Sequence, residues 1–480
     1  MEYRKQKQSV AEAGVRIQPR LIIHGGAGNI QRSNFPAEKY AAYRDALLSI
    51  VTKTQTFMNS PSPSSSPPYN EKQQQQQQQT HRSALEIATH AVLLLEDNPL
   101  FNSARGAVFT RDGINELEAS VMVSRGLKKR GVGVMGLRRV RNPILLAKEM
   151  LERGEEDLAP AGSVPSSSSS SLNAPTSLLD DGDDDDDVKG NVEGNGNLDV
   201  PSAQGHTQLH GPTAEQLAAK YGLPLVDPSY FFTQQRWDEH IRALEREKSG
   251  TSSATWHADE YLPQGTCGAV ALDAEGVICA ATSTGGMTNK LTGRIGDTPV
   301  VGAGFWAEEW EEEAEADVLG AEPGISFVGP LKGLLADCFP TPWMYSPSFS
   351  PLKSATSITR SVGFSGTGNG DSFLRVNAVR TVAAIARYKP CPGRRALAQV
   401  AGPGGQLQQS AGDRWGRTGE GEGGIIGLEC VLERDEDGRV VGVRSEVLMG
   451  YNCGGMYRAW IDDEGRPVMS IWSNGSADEL

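Results

Sequence analysis

The chain of 480 residues is poor in aromatics (6%) and carries only six cysteines, with 38% hydrophobic residues overall. No apolar run approaches the roughly 18–20 residues that a membrane-spanning helix needs. The first twenty residues, MEYRKQKQSVAEAGVRIQPR, hold no continuous apolar segment, so no secretory signal is expected there. Cys267, Cys279, Cys338, Cys391, Cys430 and Cys453 form no CxxC pair, which argues against a zinc module or a disulfide scaffold and for a reducing, cytoplasmic setting. There is no GxSxG elbow, no HExxH and no Walker loop. No basic excess is present either: the net charge is −14, so no nucleic-acid footprint is expected.

The negative charge has a local origin. Asp180, Asp181 and Asp183 to Asp187 form one acidic run, and Glu308, Glu309, Glu311, Glu312, Glu313, Glu315 and Asp317 form another. Such runs read as solvated loops. Together with 55 Gly and 27 Pro they point to a chain interrupted by loops. Five stretches read as insertions: 56–82 with seven consecutive Gln, 153–213 with serine and acidic runs, 243–262, 307–358 and 400–420. The first two cannot bury enough apolar area to offset ordering and are expected to be disordered. In 307–358, Trp306, Trp310, Phe327, Leu331, Leu334 and Phe339 could dock on the surface. About 300 residues remain, enough for one domain spanning 1–480 with large loops.

The remainder has regular periodicity. Arg20–His24 predicts a buried strand ending in the turn Gly25-Gly26-Ala27-Gly28. Residues 37–55 and 82–96 have apolar spacings of three and four and predict helices, the second ended by Pro99. Gly106–Thr110 and Ile114–Glu118 predict a hairpin around Asp112-Gly113, and 268–273 with 277–284 a second hairpin with both faces partly buried. Residues 371–388 read as one helix; 424–432, 439–448 and 466–472 read as strands. Helices bracketing hairpin strands predict an α+β layered sandwich.

The Gly clusters HGGAGNI (24–30) and SGTGNGDS (365–372) do not have dinucleotide spacing. The informative segment is GTCGAVALDAEGVICAATSTGGMTNKLTGRIGDTPVVGAG, 265–304. A threonine hydroxyl needs an adjacent base, and its own α-amine, with an ordinary pKa near 7.7–8.0, serves if the residue is an N-terminus. That requires the Gly265–Thr266 bond to be cut, and Gly265 has no side chain to obstruct attack on its carbonyl.

This segment resembles the N-terminal-nucleophile hydrolases of the plant-type L-asparaginase and isoaspartyl peptidase family, which cleave themselves before such a threonine. The resemblance extends over about 300 residues in the family's order, through HGGAG at 24–28, FNSARGAVFTRDGINELEASVM at 101–122, RNPILLAKEM at 141–150, TGNGD at 367–371, GEGGIIGL at 421–428 and YNCGGMYR at 451–458. It implies a four-layer αββα sandwich and chains 1–265 and 266–480 after autocleavage. It also implies hydrolysis of the asparagine side-chain amide and β-aspartyl dipeptides through an acyl-Thr266 intermediate. Thr266 would be nucleophile and base, and Thr284 would hold its hydroxyl or amine. Arg294 would grip the substrate carboxylate with a planar guanidinium. Asp297 would receive the ammonium, helped by the Gly370 carbonyl, and Thr367 with the Gly368 N–H would face the oxyanion. Gly25, Gly26 and Gly28 would let the first loop pass behind Thr266; His24 reads as structural.

The same resemblance implies a sodium ion wrapped by backbone carbonyls of Leu100 to Phe109, no other cofactor, and a dimer of processed αβ units without nucleic-acid or membrane partners. The chain departs from the family in having Glu118 for a common Asp, Cys267 for Val, Asp371 for Glu, and no Asp-Gly near Ser124. Alternatives are a glycosylasparaginase, disfavoured by Gly285-Gly286 where Asn-Gly is usual; a taspase-like endoprotease, disfavoured by Asp297; and a pseudoenzyme scaffold, disfavoured by the intact Thr266, Thr284, Arg294 and Asp297. The terminal Ala477-Asp478-Glu479-Leu480 resembles a retrieval signal, and Asn474-Gly475-Ser476 a glycosylation acceptor; neither is expected to act without an entry signal.

Overall fold

The computed structural model describes residues 15–61, 81–126, 130–157, 202–249, 265–313, 357–389 and 391–472. The strands are β1 (Arg20–Gly28), β2 (Leu117–Val123), β3 (Val132–Leu137), β4 (Gln208–His210), β5 (Cys267–Leu272), β6 (Ile278–Thr284), β7 (Phe305–Glu313), β8 (Ser357–Gly368), β9 (Gly423–Arg434), β10 (Val440–Tyr451), β11 (Gly455–Ile461) and β12 (Pro467–Ser470). The helices are α1 (Ala37–Met58), α2 (Ala84–Glu96), α3 (Pro143–Asp157), α4 (Gly211–Lys220), α5 (Gln234–Lys248), α6 (Gly370–Val376), α7 (Ala378–Tyr388), α8 (Gly393–Ala401) and α9 (Gln406–Ser410). One sheet has the order β12-β11-β1-β5-β6-β2-β3-β4, the other β10-β9-β8-β7. All pairings are antiparallel except β3 with β4.

Side-chain alternation along the central strands divides the apolar interior into layers. On β1, Leu21 and Ile23 join Leu47, Ala88 and Val92 of the helices, while Ile22 points the other way toward Ile426 and Leu428 of β9. Strands β5 and β6 repeat this: Ala269, Ala271, Cys279 and Ala281 face helices, whereas Val270, Leu272, Ile278 and Ala280 face the second sheet. Small residues toward the helices let α2 lie close. On the far side of the second sheet, Val362 and Phe364 pack on Val379, Val382 and Leu397 of α7 and α8. The mixed α+β class therefore follows from strands buried on both faces, each fully buried branched side chain contributing about 1.5–3 kcal/mol. Helix α2 starts where the sequence predicts, with a reciprocal cap between Ser83 and Glu86.

Several expectations are corrected. The 106–118 segment forms no hairpin; the strand lies later, over Leu117–Val123, between β6 and β3. The backbone polar groups before it are taken by side chains instead: Asn102 Oδ1 accepts the Val108 N–H, and Asn115 Nδ2 donates to the Ala107 and Val108 carbonyls. The glycine turn 25–28 is part of β1, which bulges between His24 and Gly26 while pairing with β11. The 371–388 helix is two helices, divided by Asn377 in a left-handed conformation (φ 47°). Insertion boundaries also retreat. Met58, residues 153–157, 211–213 and 243–248, and part of 400–420 are helical, and 307–313 is strand. The calls on 62–80, 158–201, 250–264 and 314–356, including Phe327, Leu331, Leu334 and Phe339, lie outside the described residues.

The second acidic run is no solvated loop where it is described. Glu308 is buried on β7 between Arg380 and Arg387, Glu309 pairs with Arg125, and Glu312 with Arg360. Among the described residues no helix is long and apolar enough to cross a membrane. Replacing Glu308 should expose this difference: Glu308→Ala leaves two guanidinium groups beside an empty buried position and should cost about 3 kcal/mol or more. Glu311→Ala on the same strand should stay within about 0.5 kcal/mol. Urea unfolding of both variants checks this.

Candidate active site

Thr266 stands immediately before β5, 6% exposed. Its carbonyl accepts from His24 Nδ1 at 2.9 Å. A carbonyl can only accept, so the His24 proton sits on Nδ1, and Nε2 accepts from the Ser365 hydroxyl at 2.7 Å. Ser365 Oγ lies 3.0 Å from Thr282 Oγ1, which completes a buried chain from one sheet to the other. Burial pushes the His24 imidazole down to about 3, the Thr266 carbonyl opposing this, so the ring is neutral. It anchors the backbone of Thr266.

The glycines around this residue are dictated by space. A β-carbon on Gly265 would stand 2.1 Å from Gly26 Cα, and Gly26 itself has φ +122°. The β1 turn thus runs directly against the Gly265–Thr266 bond. Gly25 is closed by Phe101, 2.4 Å from where its β-carbon would be; Gly28 has open space, so the close passage depends on Gly25 and Gly26.

The threonines are placed differently from one another. Thr284 ends β6 opposite Glu118, and its hydroxyl accepts the Gly286 N–H at 3.0 Å. The hydroxyl nearest Thr266 Oγ1 is that of Thr298, at 3.4 Å. Thr284 thus closes the turn Thr284-Gly285-Gly286 with its hydroxyl as acceptor, and Thr298, which follows Asp297, is a hydroxyl near Thr266 that the sequence reading did not point to. Thr367, fully buried, accepts the Ala27 N–H at 3.2 Å and so ties β8 to the β1 turn. Gly368 follows with φ +146°, its missing β-carbon 2.4 Å from the Glu422 carbonyl oxygen.

Arg294 and Asp297 face one space. The point where a β-carbon on Gly370 would sit is 3.0 Å from Arg294 Nη2 and 2.7 Å from Asp297 Oδ1. Arg294 also reaches Asp371 Oδ1 at 3.1 Å, a carboxylate that is mostly exposed. Asp297 is buried and its Oδ2 has no hydrogen-bond partner among the described residues. Burial pushes its carboxyl up to about 7, with the Arg294 guanidinium acting in the opposite direction. A guanidinium and a desolvated carboxyl lining one glycine-walled space can read the two charges of a zwitterion.

Residues to which the sequence reading gave no role support this loop. Glu116 Oε2 accepts the Gly293 N–H at 2.7 Å, Glu118 Oε1 accepts the Gly296 N–H at 3.1 Å, and the buried Lys290 ammonium donates to the Glu116 carbonyl at 3.0 Å. Their signal was faint: alternate acids at 116 and 118 before an apolar strand read as one edge of a hairpin. Thr298 had a plainer signal, a hydroxyl adjoining Asp297. Among the described residues no group of three or more His, Cys, Asp or Glu could hold a metal ion.

The candidate site thus sets a threonine at the head of a buried strand beside the loop that carries Arg294 and Asp297, and the comparisons with known proteins make the class a hydrolase. A family model described as asparaginase matches residues 71–163 and 199–312, and the stretch between falls within the serine-rich and acidic segment. The isoaspartyl peptidase of Escherichia coli (strain K12) is 28% identical over 440 residues, covering 92% of each chain. A Dictyostelium discoideum protein that carries the name isoaspartyl peptidase/L-asparaginase is 30% identical over 316 residues, 60% of this chain and 70% of its own. The plant-type L-asparaginase of Pyrococcus furiosus is 28% identical over 294 residues, 60% of this chain and 70% of its own. The chain belongs to the plant-type L-asparaginase and isoaspartyl peptidase family of N-terminal-nucleophile hydrolases.

The state of Asp297 gives two linked predictions. Its carboxyl is raised above the unfolded value of about 3.9, so the folded state holds the extra proton between about pH 4 and 7 and loses stability as pH rises through that window. Asp297→Asn should therefore be more stable than the parent at pH 8, by about 2–4 kcal/mol, in chemical denaturation. In the parent, kcat/KM should fall on the acid side with an apparent pKa near 7, because a protonated Asp297 cannot receive an ammonium.

Proposed function

We propose that this chain is a self-activating threonine hydrolase that cleaves the side-chain amide of L-asparagine and β-aspartyl dipeptides. The observation that carries the reading is the convergence of Arg294 and Asp297 on the space at Gly370, with Thr298, next to Asp297, in reach of the Thr266 hydroxyl. A guanidinium fits the α-carboxylate and a carboxylate the α-ammonium of an aspartyl group. A protein substrate would bring no free ammonium to the buried Asp297, which disfavours endoproteolysis. The names that the relatives carry, isoaspartyl peptidase and L-asparaginase, support the same substrates.

The reaction has two stages. In maturation the Thr266 hydroxyl attacks the Gly265 carbonyl carbon; the C–N bond breaks, the acyl group passes to oxygen and the hydroxyl proton ends on the nitrogen, which frees the Thr266 amine; water then hydrolyses the ester to the Gly265 carboxylate and the Thr266 hydroxyl. In turnover this amine takes the hydroxyl proton while Oγ1 attacks the substrate's side-chain carbonyl. The Thr367 hydroxyl and the Gly368 N–H face the resulting oxyanion. The amine returns the proton to the leaving nitrogen, ammonia or an amino acid departs, and water cleaves the acyl-Thr266 ester to release aspartate. Thr284 supports the nucleophile through the turn that it closes. His24 fixes the Thr266 carbonyl and moves no proton.

The wider reading includes an αββα sandwich as a single domain, chains 1–265 and 266–480, a dimer of processed units, and a cytoplasmic setting. The three apolar clusters on and between the sheets, and the five described cysteines, all free, support parts of it. A sodium ion would stiffen the 100–109 loop: the Pro99 and Phe101 carbonyl oxygens stand 2.6 and 2.0 Å from the point a Gly106 β-carbon would take, a cradle for a small cation. No step of the reaction runs through it. Intact-mass measurement should show two chains divided at Gly265–Thr266, and Thr266→Ala a single chain without activity. Gly265→Ala should slow self-cleavage at least about tenfold, since its β-carbon collides with the β1 turn. An uncut but active parent would refute the maturation step.

A further inference from the structure

Arg294 leaves the protein backbone in a loop with no regular structure, between Lys290 and Asp297. A guanidinium on such a loop grips a carboxylate well only if the loop itself is fixed. Thr292 is tied to Thr110 and Asp112, and the amides on either side of Arg294 are held from the start of β2. Glu116 takes the amide before Arg294, that of Gly293, at 2.7 Å, and Arg138 neutralises its other oxygen at 2.8 Å. Glu118, two residues on, takes the amide of Gly296 at 3.1 Å. Lys290 closes the arrangement from the loop's other end, donating to the Glu116 carbonyl and standing 3.9 Å from Glu118 Oε1.

Glu118 differs from Glu116 in what surrounds it. It is 1% exposed, and its Oε2 has no hydrogen-bond partner among the described residues. That oxygen lies 3.3 Å from the point where a β-carbon on Gly296 would stand, and Arg294 Nη1 lies 2.8 Å from the same point. The guanidinium is thus packed against a bare glycine whose amide Glu118 holds. We propose that Glu118 is a positioning residue for substrate recognition: through the Gly296 amide, with Lys290 as its counter-charge, it sets the Arg294 guanidinium for the substrate α-carboxylate. It touches neither the scissile amide nor Thr266. This inference rests on the substrate reading above.

The test uses the full-length, matured chain with two substrates, L-asparagine and L-aspartamide, whose α-carboxylate is replaced by an uncharged amide. Losing a charge-assisted hydrogen bond to the loop should raise KM for asparagine about tenfold or more in Glu118→Ala, with kcat within about threefold. For aspartamide, which gives Arg294 no carboxylate to grip, the same variant should change KM less than about twofold. Glu118→Gln keeps an acceptor for the Gly296 N–H and should recover most of the loss. Glu118→Leu, which fills the same volume but offers no acceptor, should show the alanine variant's KM pattern and carries the comparison if the alanine variant does not fold. Self-cleavage, which needs no substrate carboxylate, should proceed at the parental rate in all three. An unchanged KM for asparagine, equal losses on both substrates, or a parallel loss of self-cleavage would overturn the assignment. A matured parent that hydrolyses neither asparagine nor a β-aspartyl dipeptide would instead defeat the substrate reading itself, before any Glu118 variant is compared.

Discussion

A carboxyl group kept from water, with one oxygen unbonded, raises the free energy of the folded chain until a cation reaches it. Asp297 is in that condition, and the surrounding structure is arranged to tolerate it. Arg294 supplies the partial compensation, from across the space that Gly370 leaves open. Were Gly370 any other residue, its side chain would fill the place where both charges point. The site thus trades stability for a readiness to bind, with the deficit located at the atoms that would meet the substrate.

Placing Thr266 beside this pair requires two sheets to be held in register. The His24–Ser365 hydrogen bond crosses between them, from β1 to β8, and extends to Thr282 on β6. Gly268 gives that crossing its room: a β-carbon there would come within 2.6 Å of His24 Nε2 and 2.3 Å of Ser365 Oγ. A buried neutral imidazole with both nitrogens satisfied is rigid, and its Nδ1 proton holds the Thr266 carbonyl. The backbone at Thr266 is thus fixed from one side by His24, while the β1 glycines are pressed against the Gly265–Thr266 bond.

Elements with strong period were legible from residue order alone. The strand at 20–24, the helices at 37–58 and 84–96, the 268–284 hairpin and the paired strands after 423 all follow from apolar alternation or three-and-four spacing. Failures arose where side chains took over the work of backbone pairing. Asn102 and Asn115 satisfied the loop that had read as a hairpin, and Asn377 in a left-handed conformation divided a helix that had read as continuous. The second acidic run misled for a similar reason. Its partners Arg380, Arg387, Arg125 and Arg360 come from distant segments, so the run looked unpaired in one dimension.

Residue order by itself determined the family and the mixed α+β class, and it picked out Thr266, Arg294 and Asp297 as candidates, because local spacing and residue type carry that information. Only the tertiary structure decided which hydroxyl stands beside Thr266, that Glu116 and Glu118 bracket the Arg294 loop, and that Asp297 is stripped of water. Those facts depend on desolvation and on distances between groups far apart in the chain, and neither quantity exists until the sheets have packed.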